Sequence, residues 1–533
     1  MANRLFSQVP GRKQKRNLFD LSHDVKMSMD MGILTPMFCQ EVVPGDTFIL
    51  DTEVFLRLAP MIAPMMHRCN IKTDFFFVPN RLLWNEWEDF ITGGEDGTAA
   101  PVFPYFTYSD LQDEHREVGS LPDYFGVPVG QGNLNPGLHM SVLPFRAYQM
   151  IYNEYFRDQN LTPPVEFDID SGALSDIERD NVFELRRRCW EKDYFTAALP
   201  WAQRGEPVLL PFGGVADLVY DPDSLHPTKL WNSVGGSTPA AGSGNLTYNA
   251  NLTDDTGTRY AGVLGSQQFD VDVTGNTRVD LSEATSVTIN DLRRSIKLQQ
   301  WLENNARGGS RYIEQILSHF GVRSSDSRLQ RPEYLGGGKT PVKVSEVLQT
   351  SSSDDVTPQA NMAGHGIAVG RSHRFKRFFE EHGLVIGLIS VIPRTSYMQG
   401  LPRYFMKSDK TDFFWPEFAN LGEQPVYNAE IYALSAGPYD PVGTFGYQPR
   451  YAEYKYIPSS VHGKMRTDLD FWHMGRVFSP QEENYPPALN TEFVECRPTD
   501  RIWSVIEAEH LYVHLFHRVR AIRPMPKFGV PML

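Results

Sequence analysis

The chain has 533 residues, a net charge of −14, 22% charged and 12% aromatic residues, 42 Gly and 38 Pro. That length exceeds one compact core and predicts two or more units, while the aromatic, Gly and Pro content predicts strands joined by long ordered connections and argues against a helical bundle. Sparse charge with many aromatics also suits a surface buried against copies of itself.

Along the chain, Arg4, Arg12, Lys13, Lys15 and Arg16 place five positive charges before Asp20, in a stretch with little to bury. It predicts an extended basic arm able to neutralise phosphates without reading bases, the plain alternative being a solvated terminus. Nothing there reads as a signal peptide, so synthesis in a reducing cytoplasm is expected. Cys39, Cys69, Cys189 and Cys496 lie far apart without a C-x-x-C pair, which excludes a zinc ribbon or thioredoxin-type site and predicts buried reduced thiols.

The first clear strand is "DTFILDTEVFLRL" (46–58), with Phe48, Leu50, Val54, Leu56 and Leu58 on one face and Asp51, Glu53 and Arg57 on the other. "NIKTDFFFVPN" (70–80) follows as a second. "LPFRAYQMIYNEYFRDQN" (143–160) reads as a helix entered at Pro144, with Phe145, Tyr148, Tyr152, Tyr155 and Phe156 near one face. "DIDSG" (168–172) starts like a calcium loop but offers Gly172 where a third oxygen ligand is needed.

Residues 205–290 change character. From Leu230 to Leu292 the only basic residues are Arg259 and Arg278. Short alternating strands are expected at "NLTYNANLT" and "FDVDVTGNTRVDL", the latter turning at Thr274–Asn276. Such weak strands either pair with neighbouring copies or fold back as a small subdomain. An acidic, Thr- and Asn-rich insert suits an outward projection, and Tyr248, Asp254, Asp255, Tyr260, Asp270 and Asp272 are its candidate receptor-contacting residues. Two helices follow, at 290–309 with Asn290 as cap and Gly308 as stop, and at 310–321 between Ser310 and Gly321. The second carries the apolar set Tyr312, Ile313, Ile316, Leu317 and Phe320.

"YLGGGKTP" (334–341) resembles a phosphate-binding loop but fails on spacing, because the first glycine of G-x-x-x-x-G-K-[ST] falls on Glu333 and Pro341 follows Thr340. The expectation there is a surface turn, its glycines supplying positive φ. "GLVIGLISVI" (383–392) is too short to cross a membrane and reads as a buried strand. "WSVIEAEHLYVHLFHRV" (503–519) alternates again, with Trp503, Val505, Leu511, Val513 and Leu515 on one side. As a strand it puts His510 and His514 on one face and His517 on the other, which dissolves a three-His metal site. The carboxylate pairs Glu507/Glu509 and Asp468/Asp470 have no sign of a shared cleft, and no catalytic or cofactor motif is found. Strand-rich ends whose strands can meet, with helices and loops between, make a two-sheet sandwich of jelly-roll type the natural candidate.

Long segments then carry a resemblance. "FDLSHDVKMSMDMGILTP" (19–36), "EVVPGDTF" (41–48), "FFFVPNRLLWNEWEDFITG" (75–93), "YNEYFRDQNL" (152–161), "WEKDYFTAALPWAQRG" (190–205), the run 306–338 and "FGYQPRYAEYKYIPSSVHGKMR" (445–466) resemble the major capsid protein of the small single-stranded DNA phages, Microviridae, in the gokushovirus group. The resemblance implies a mainly β fold: an eight-stranded antiparallel jelly roll of viral capsid type, with long loop insertions and several short helices. It implies a non-enzymatic shell protein, about sixty copies closing a T=1 icosahedron around circular single-stranded DNA, found in the virion and in the host bacterial cytoplasm during assembly. Implied partners are other copies, the DNA genome, a small basic packaging protein, an internal scaffolding protein, a minor pilot protein and a bacterial surface receptor. The expected divisions are a basic arm and lead-in (1–45), a first part of the jelly roll (46–204), a surface insertion (205–290) and a second part (291–533). The alternative is an all-β glycan-binding or glycan-hydrolysing protein.

Overall fold

The computed structural model describes residues 15–130, 132, 134–135, 137–206, 208, 289–309, 311–348, 362–434, 439–480 and 485–528, with the backbone alone of six short strands inside 209–288. The chain divides into two compact units, residues 1–205 with 302–533, and residues 206–301.

The first unit is built on two antiparallel sheets, whose strands we number along the chain. They are β1 (Asn17–Asp20), β2 (His23–Met29), β3 (Thr35–Val42), β4 (Thr47–Leu58), β5 (Cys69–Pro79), β6 (Glu333–Pro341), β7 (Lys343–Leu348), β8 (Met362–Arg371), β9 (Phe375–Phe378), β10 (Gly383–Pro393) and β11 (Leu511–Arg523). The seven-stranded sheet runs β1–β11–β4–β8–β7, with β2 also on β11 and β9 also on β4; the four-stranded sheet runs β6–β5–β10–β3. The two ends of the chain do meet: Thr47–Leu58 pairs with Ile522–Leu511 along its whole length.

Period-two alternation sets the core. Phe48, Leu50, Thr52, Val54, Leu56 and Leu58 of β4 are buried, as are Leu511, Val513, Leu515, Val519 and Ala521 of β11. They pack against Phe38 of β3, Ile71, Phe75 and Phe77 of β5 and Val385, Ile389 and Val391 of β10, so the two sheets face each other across one apolar core. The other face of the four-stranded sheet, Phe76, Val78, Leu384, Ile386 and Leu388, is covered by a helical layer. Its centre is α1 (Leu143–Ile151), continued by a wider turn at Tyr152–Phe156 and burying Phe145, Tyr148, Ile151, Tyr152 and Phe156. β10 is thus covered on both sides, which is why its sequence is a continuous apolar run. A third cluster surrounds the hairpin of Glu423–Tyr427 and Thr444–Pro449, with Tyr194, Phe195, Tyr397, Phe478 and Phe493.

Several expectations need correction. "YLGGGKTP" is not a turn: it lies in β6, the edge strand paired to β5, with a bulge between Tyr334 and Gly336. The cause is close approach, since a Cβ on Gly337 would lie 2.2 Å from the Thr73 carbonyl oxygen. Lys339 donates to Glu191 at 2.9 Å, and Lys72 does so at the same distance. Burial pushes Glu191 up, but the two ammonium groups outweigh it and hold the carboxyl at about 2. Residues 503–510 are a loop rather than strand: Trp503 turns into the core while Val505 stays exposed. Residues 17–42 include β1–β3 of the two sheets, and residues 1–14 lie outside the described residues. Cys69 and Cys496 are buried, but Cys39 is exposed on β3; all four thiols are free.

The helices α2 (Ile289–Gly308) and α3 (Tyr312–Phe320) lie where expected. Asn290 lies inside α2 rather than capping it, Arg311 caps α3, and Ser310 lies outside the described residues. Gly321 ends α3 in the left-handed conformation.

The second unit holds the six short strands, paired concentrically. Asp217–Tyr220 pairs with Thr277–Asp280, Leu230–Asn232 with Phe269–Val271, and Asn249–Thr253 with Arg259–Ala261, all antiparallel. Of the two expected arrangements, the segment takes the one that folds back on itself, with Phe269–Val271 and Thr277–Asp280 each paired to an earlier strand. The supposed turn Thr274–Asn276 lies outside the described residues.

Candidate assembly surfaces

Of the basic arm, Arg4, Arg12 and Lys13 lie outside the described residues; Lys15 and Arg16 are exposed, and Arg16 stacks its guanidinium over the Phe378 ring at 5.1 Å. Tyr248, Asp254, Asp255 and Asp272 also lie outside, while Tyr260 and Asp270 are described in backbone only, each in a short strand.

A surface that the sequence does not single out lies on the outward face of the seven-stranded sheet. Alternation on β11 turns Tyr512, His514, Phe516, Arg518 and Arg520 away from the core. Register brings Phe55 and Arg57 of β4, Arg371 of β8, Lys376 of β9 and Lys26 of β2 to the same face. Its acids are already engaged: Asp51 with Arg371 at 2.8 Å, Glu53 with Arg518 at 2.9 Å, Asp24 with His514 at 3.0 Å, and Asp20 beside Arg520. Lys26, Arg57 and Lys376 have no carboxylate partner among the described residues. Arg57 stacks over Phe55 at 5.2 Å and Arg518 over Phe516 at 5.9 Å. At one end Lys26, Phe55, Arg57, Tyr124, Tyr512 and His514 line an open groove of about 730 Å³, together with Asp123, which accepts from the Gly119 amide, and Glu509, which accepts from Tyr124. Cations set among exposed ring faces make a surface able to hold phosphates and stack bases together.

A second surface is apolar. In residues 401–421 Tyr404 and Phe405 are 67% and 64% exposed, and Phe413, Phe414, Trp415 and Leu421 are exposed too. The loop is nevertheless fixed. Arg403 donates to Glu430 at 2.8 Å and to the Pro425 carbonyl at 2.7 Å. Asp412 accepts from the Asp409 and Ser408 amides, which lowers its carboxyl below the usual range. Trp415 Nε1 donates to the Lys410 carbonyl at 2.9 Å. Ordered aromatics left in water make this segment a candidate docking surface rather than a frayed loop. The α3 set joins them in being unburied: Tyr312 and Phe320 are 71% and 78% exposed.

The three histidines are apart in role. His510 shares Asp30 at 2.9 Å and stacks on Trp503, His514 meets Asp24, and His517 is buried between Thr52 and the Met37 carbonyl. In "DIDSG" Asp168 accepts from Ser175 and Asp170 from Asn85, tying the loop. Asp470 faces Arg501, Asp468 faces Lys464, and Glu509 accepts from Tyr124. Among the buried acids, Asp193 accepts from Thr395, Tyr397, Thr196 and two backbone amides. These are structural ties.

A sequence model of the phage capsid protein (F protein) family matches residues 7–533. Capsid protein VP1 of Chlamydia phage 1 is 40% identical, covering 100% of this chain and 98% of its own length. VP1 of Bdellovibrio phage phiMH2K is 38% identical, covering 99% and 97%. VP1 of Spiroplasma virus 4 is 31% identical, also covering 99% and 97%. Agreement with capsid proteins along the whole chain decides the reading: the chain is a structural protein, not an enzyme, and belongs to the phage capsid protein (F protein) family of the Microviridae, in its gokushovirus-like branch.

Proposed function

We propose that about sixty copies of the chain close into a single-layer T=1 icosahedral shell around a circular single-stranded DNA genome. The observation that carries this reading is the match to capsid proteins over the full chain. In this reading the two facing sheets are the wedge of a capsid jelly roll, and the exposed aromatics of 401–421 and the apolar face of α3 bury against neighbouring copies, at about 25 cal/mol per Å² of apolar surface. The outward face of the seven-stranded sheet, with Lys26, Arg57 and Lys376, turns inward in the shell and joins the basic arm residues Arg4, Arg12, Lys13, Lys15 and Arg16 in offsetting genome phosphates. A small basic packaging protein shares that work, and internal scaffolding and minor pilot proteins take part during assembly in the bacterial cytoplasm. The acidic insert, with Tyr248, Asp254, Asp255, Tyr260, Asp270 and Asp272, projects outward as a trimeric spike on the three-fold axis and contacts a bacterial surface receptor. No observation favours the glycan-binding alternative.

Two experiments test this. Electron microscopy of the chain co-expressed with its companions is expected to find closed shells; persistent single copies overturn the proposal. The triple variant Lys26→Glu/Arg57→Glu/Lys376→Glu is expected to form shells whose DNA content, read from the 260/280 nm ratio, falls several-fold. Full DNA content in those shells removes the sheet face from the proposal.

A further inference from the structure

We propose that His115, Glu114 and Glu184 form a divalent-cation site within the helical layer. His115 sits in the short turn Asp113–Arg116 and is only 4% exposed. Neither ring nitrogen has a hydrogen-bond partner among the described residues. A buried imidazole with unpartnered nitrogens is a costly arrangement, and an ion on Nε2 relieves the side that faces the carboxylates. The ring is aimed at two carboxylates: Nε2 lies 3.9 Å from Glu114 Oε1 and 3.8 Å from Glu184 Oε2. The three ligand atoms all lie within 4.8 Å of one another.

Those separations are too long for hydrogen bonds. The two distances from Nε2 suit ligands sharing one ion, since donors held at about 2.1 Å from a cation stand roughly 3 to 4 Å apart. The frame is rigid on both sides. The His115 amide donates to the Gln112 carbonyl at 3.0 Å, and Ser120 Oγ donates to the His115 carbonyl at 3.1 Å. Across the site, Gln149 Nε2 donates to the Val182 and Glu184 carbonyls at 3.0 and 2.9 Å, and the Phe183 ring packs 6.0 Å from the His115 ring. The nearby Arg186 is occupied elsewhere, by Gln149 and the Asn181 carbonyl. Both carboxylates open to solvent, which leaves an entry route and room for water ligands. One imidazole with two carboxylates favours zinc or manganese over magnesium or calcium, whose preferred shells are all oxygen. Bound there, the ion clips the 113–116 turn to the 182–186 segment.

The test is zinc titration of the purified full-length chain after chelator treatment, by calorimetry and thermal unfolding, with manganese and calcium in parallel. Expected are one tight zinc per chain, a raised unfolding temperature, calcium at least tenfold weaker, and an X-ray absorption edge showing one imidazole ligand. Glu114→Gln and Glu184→Gln lie at the exposed side and fold, and each is expected to weaken zinc at least tenfold; His115→Gln abolishes the site. Zinc uptake unchanged in both glutamine variants overturns the proposal. So does a chain that takes up no zinc while nuclear magnetic resonance finds His115 as an imidazolium between the two carboxylates.

Discussion

His517 is fully buried between the two sheets, with Thr52 Oγ1 at 2.8 Å from Nδ1 and the Met37 carbonyl at 2.8 Å from Nε2. A carbonyl only accepts, so Nε2 carries the proton and Nδ1 accepts from the threonine. One neutral imidazole thus ties β11 to β4 in its own sheet and to β3 in the facing one. Burial, aided by His23, pulls its pKa down to about 4, against smaller opposing effects of the Met37 carbonyl and Asp24. An unfolded chain binds that proton near 6.5 while the folded chain waits until about 4, so stability is unaffected above about 6.5, falls as pH drops through the window and levels off below it. The full loss is on the order of 3 kcal/mol. Urea midpoints measured from pH 7 to 4 are expected to show a wild-type decline of that size beyond that of His517→Gln; parallel curves for the two proteins refute it. Arg146 and Glu178 show the same economy with charge: both are buried, paired at 2.6 Å, and Arg146 also donates to the Leu83 and Asp170 carbonyls. Glu178→Gln strands a buried guanidinium and is expected to cost about 3–5 kcal/mol in chemical denaturation.

At the scale of elements, burial decides what the sequence discloses. β4 is half-buried, so Phe48 to Leu58 alternate and its strand is legible; β10 is covered on both faces, so an unbroken apolar run marks it. α1 declares itself through aromatics at helical spacing. β6 is hidden because Gly336, Gly337 and Gly338 oppose strand propensity, and each has its own cause: a positive φ at the bulge for Gly336, the β5 backbone for Gly337 and the Ser372 backbone for Gly338. Residues 503–510 misled in the opposite way, since Trp503 is buried by stacking on His510 rather than by a ladder. The candidate surfaces were less legible than the fold. Lys26, Arg57 and Lys376 are scattered along the sequence and share a face only through strand register. The aromatics of 401–421 follow no period, because their short turns are held by Asp412 and Arg403 instead of a repeating ladder. That segment allows a clean separation of folding from association. Phe405→Ser with Leu421→Ser removes exposed apolar side chains and leaves the Arg403, Asp412 and Trp415 ties intact, so the thermal unfolding of the single chain is expected to change little while sedimentation shows loss of shells. Normal shells from the double variant take this segment out of the contacts between copies.

For the whole molecule, the 206–301 unit poses the clearest test, because its concentric pairing makes it removable. Asp217 stands opposite Asp280 in the outermost strand pair, and every inner pair lies between them in sequence. Directly opposed residues of an antiparallel pair stand about 5 Å apart along the backbone ladder, a gap that a two-residue Asn-Gly turn spans. Replacing residues 218–279 by that turn therefore removes Asp254, Asp255, Tyr260, Asp270 and Asp272 without asking the two sheets to rearrange. The 1–205 and 302–533 unit keeps both sheets, the helical layer and the surfaces at 401–421 and on α3. If the insert serves attachment and the sheets serve containment, the shortened chain closes into shells of normal sedimentation that package DNA, and adsorption to host cells drops at least tenfold. Shells that adsorb as well as the parent refute the attachment role. A shortened chain that folds but stays unassembled also refutes it, and places the insert among the contacts that hold copies together.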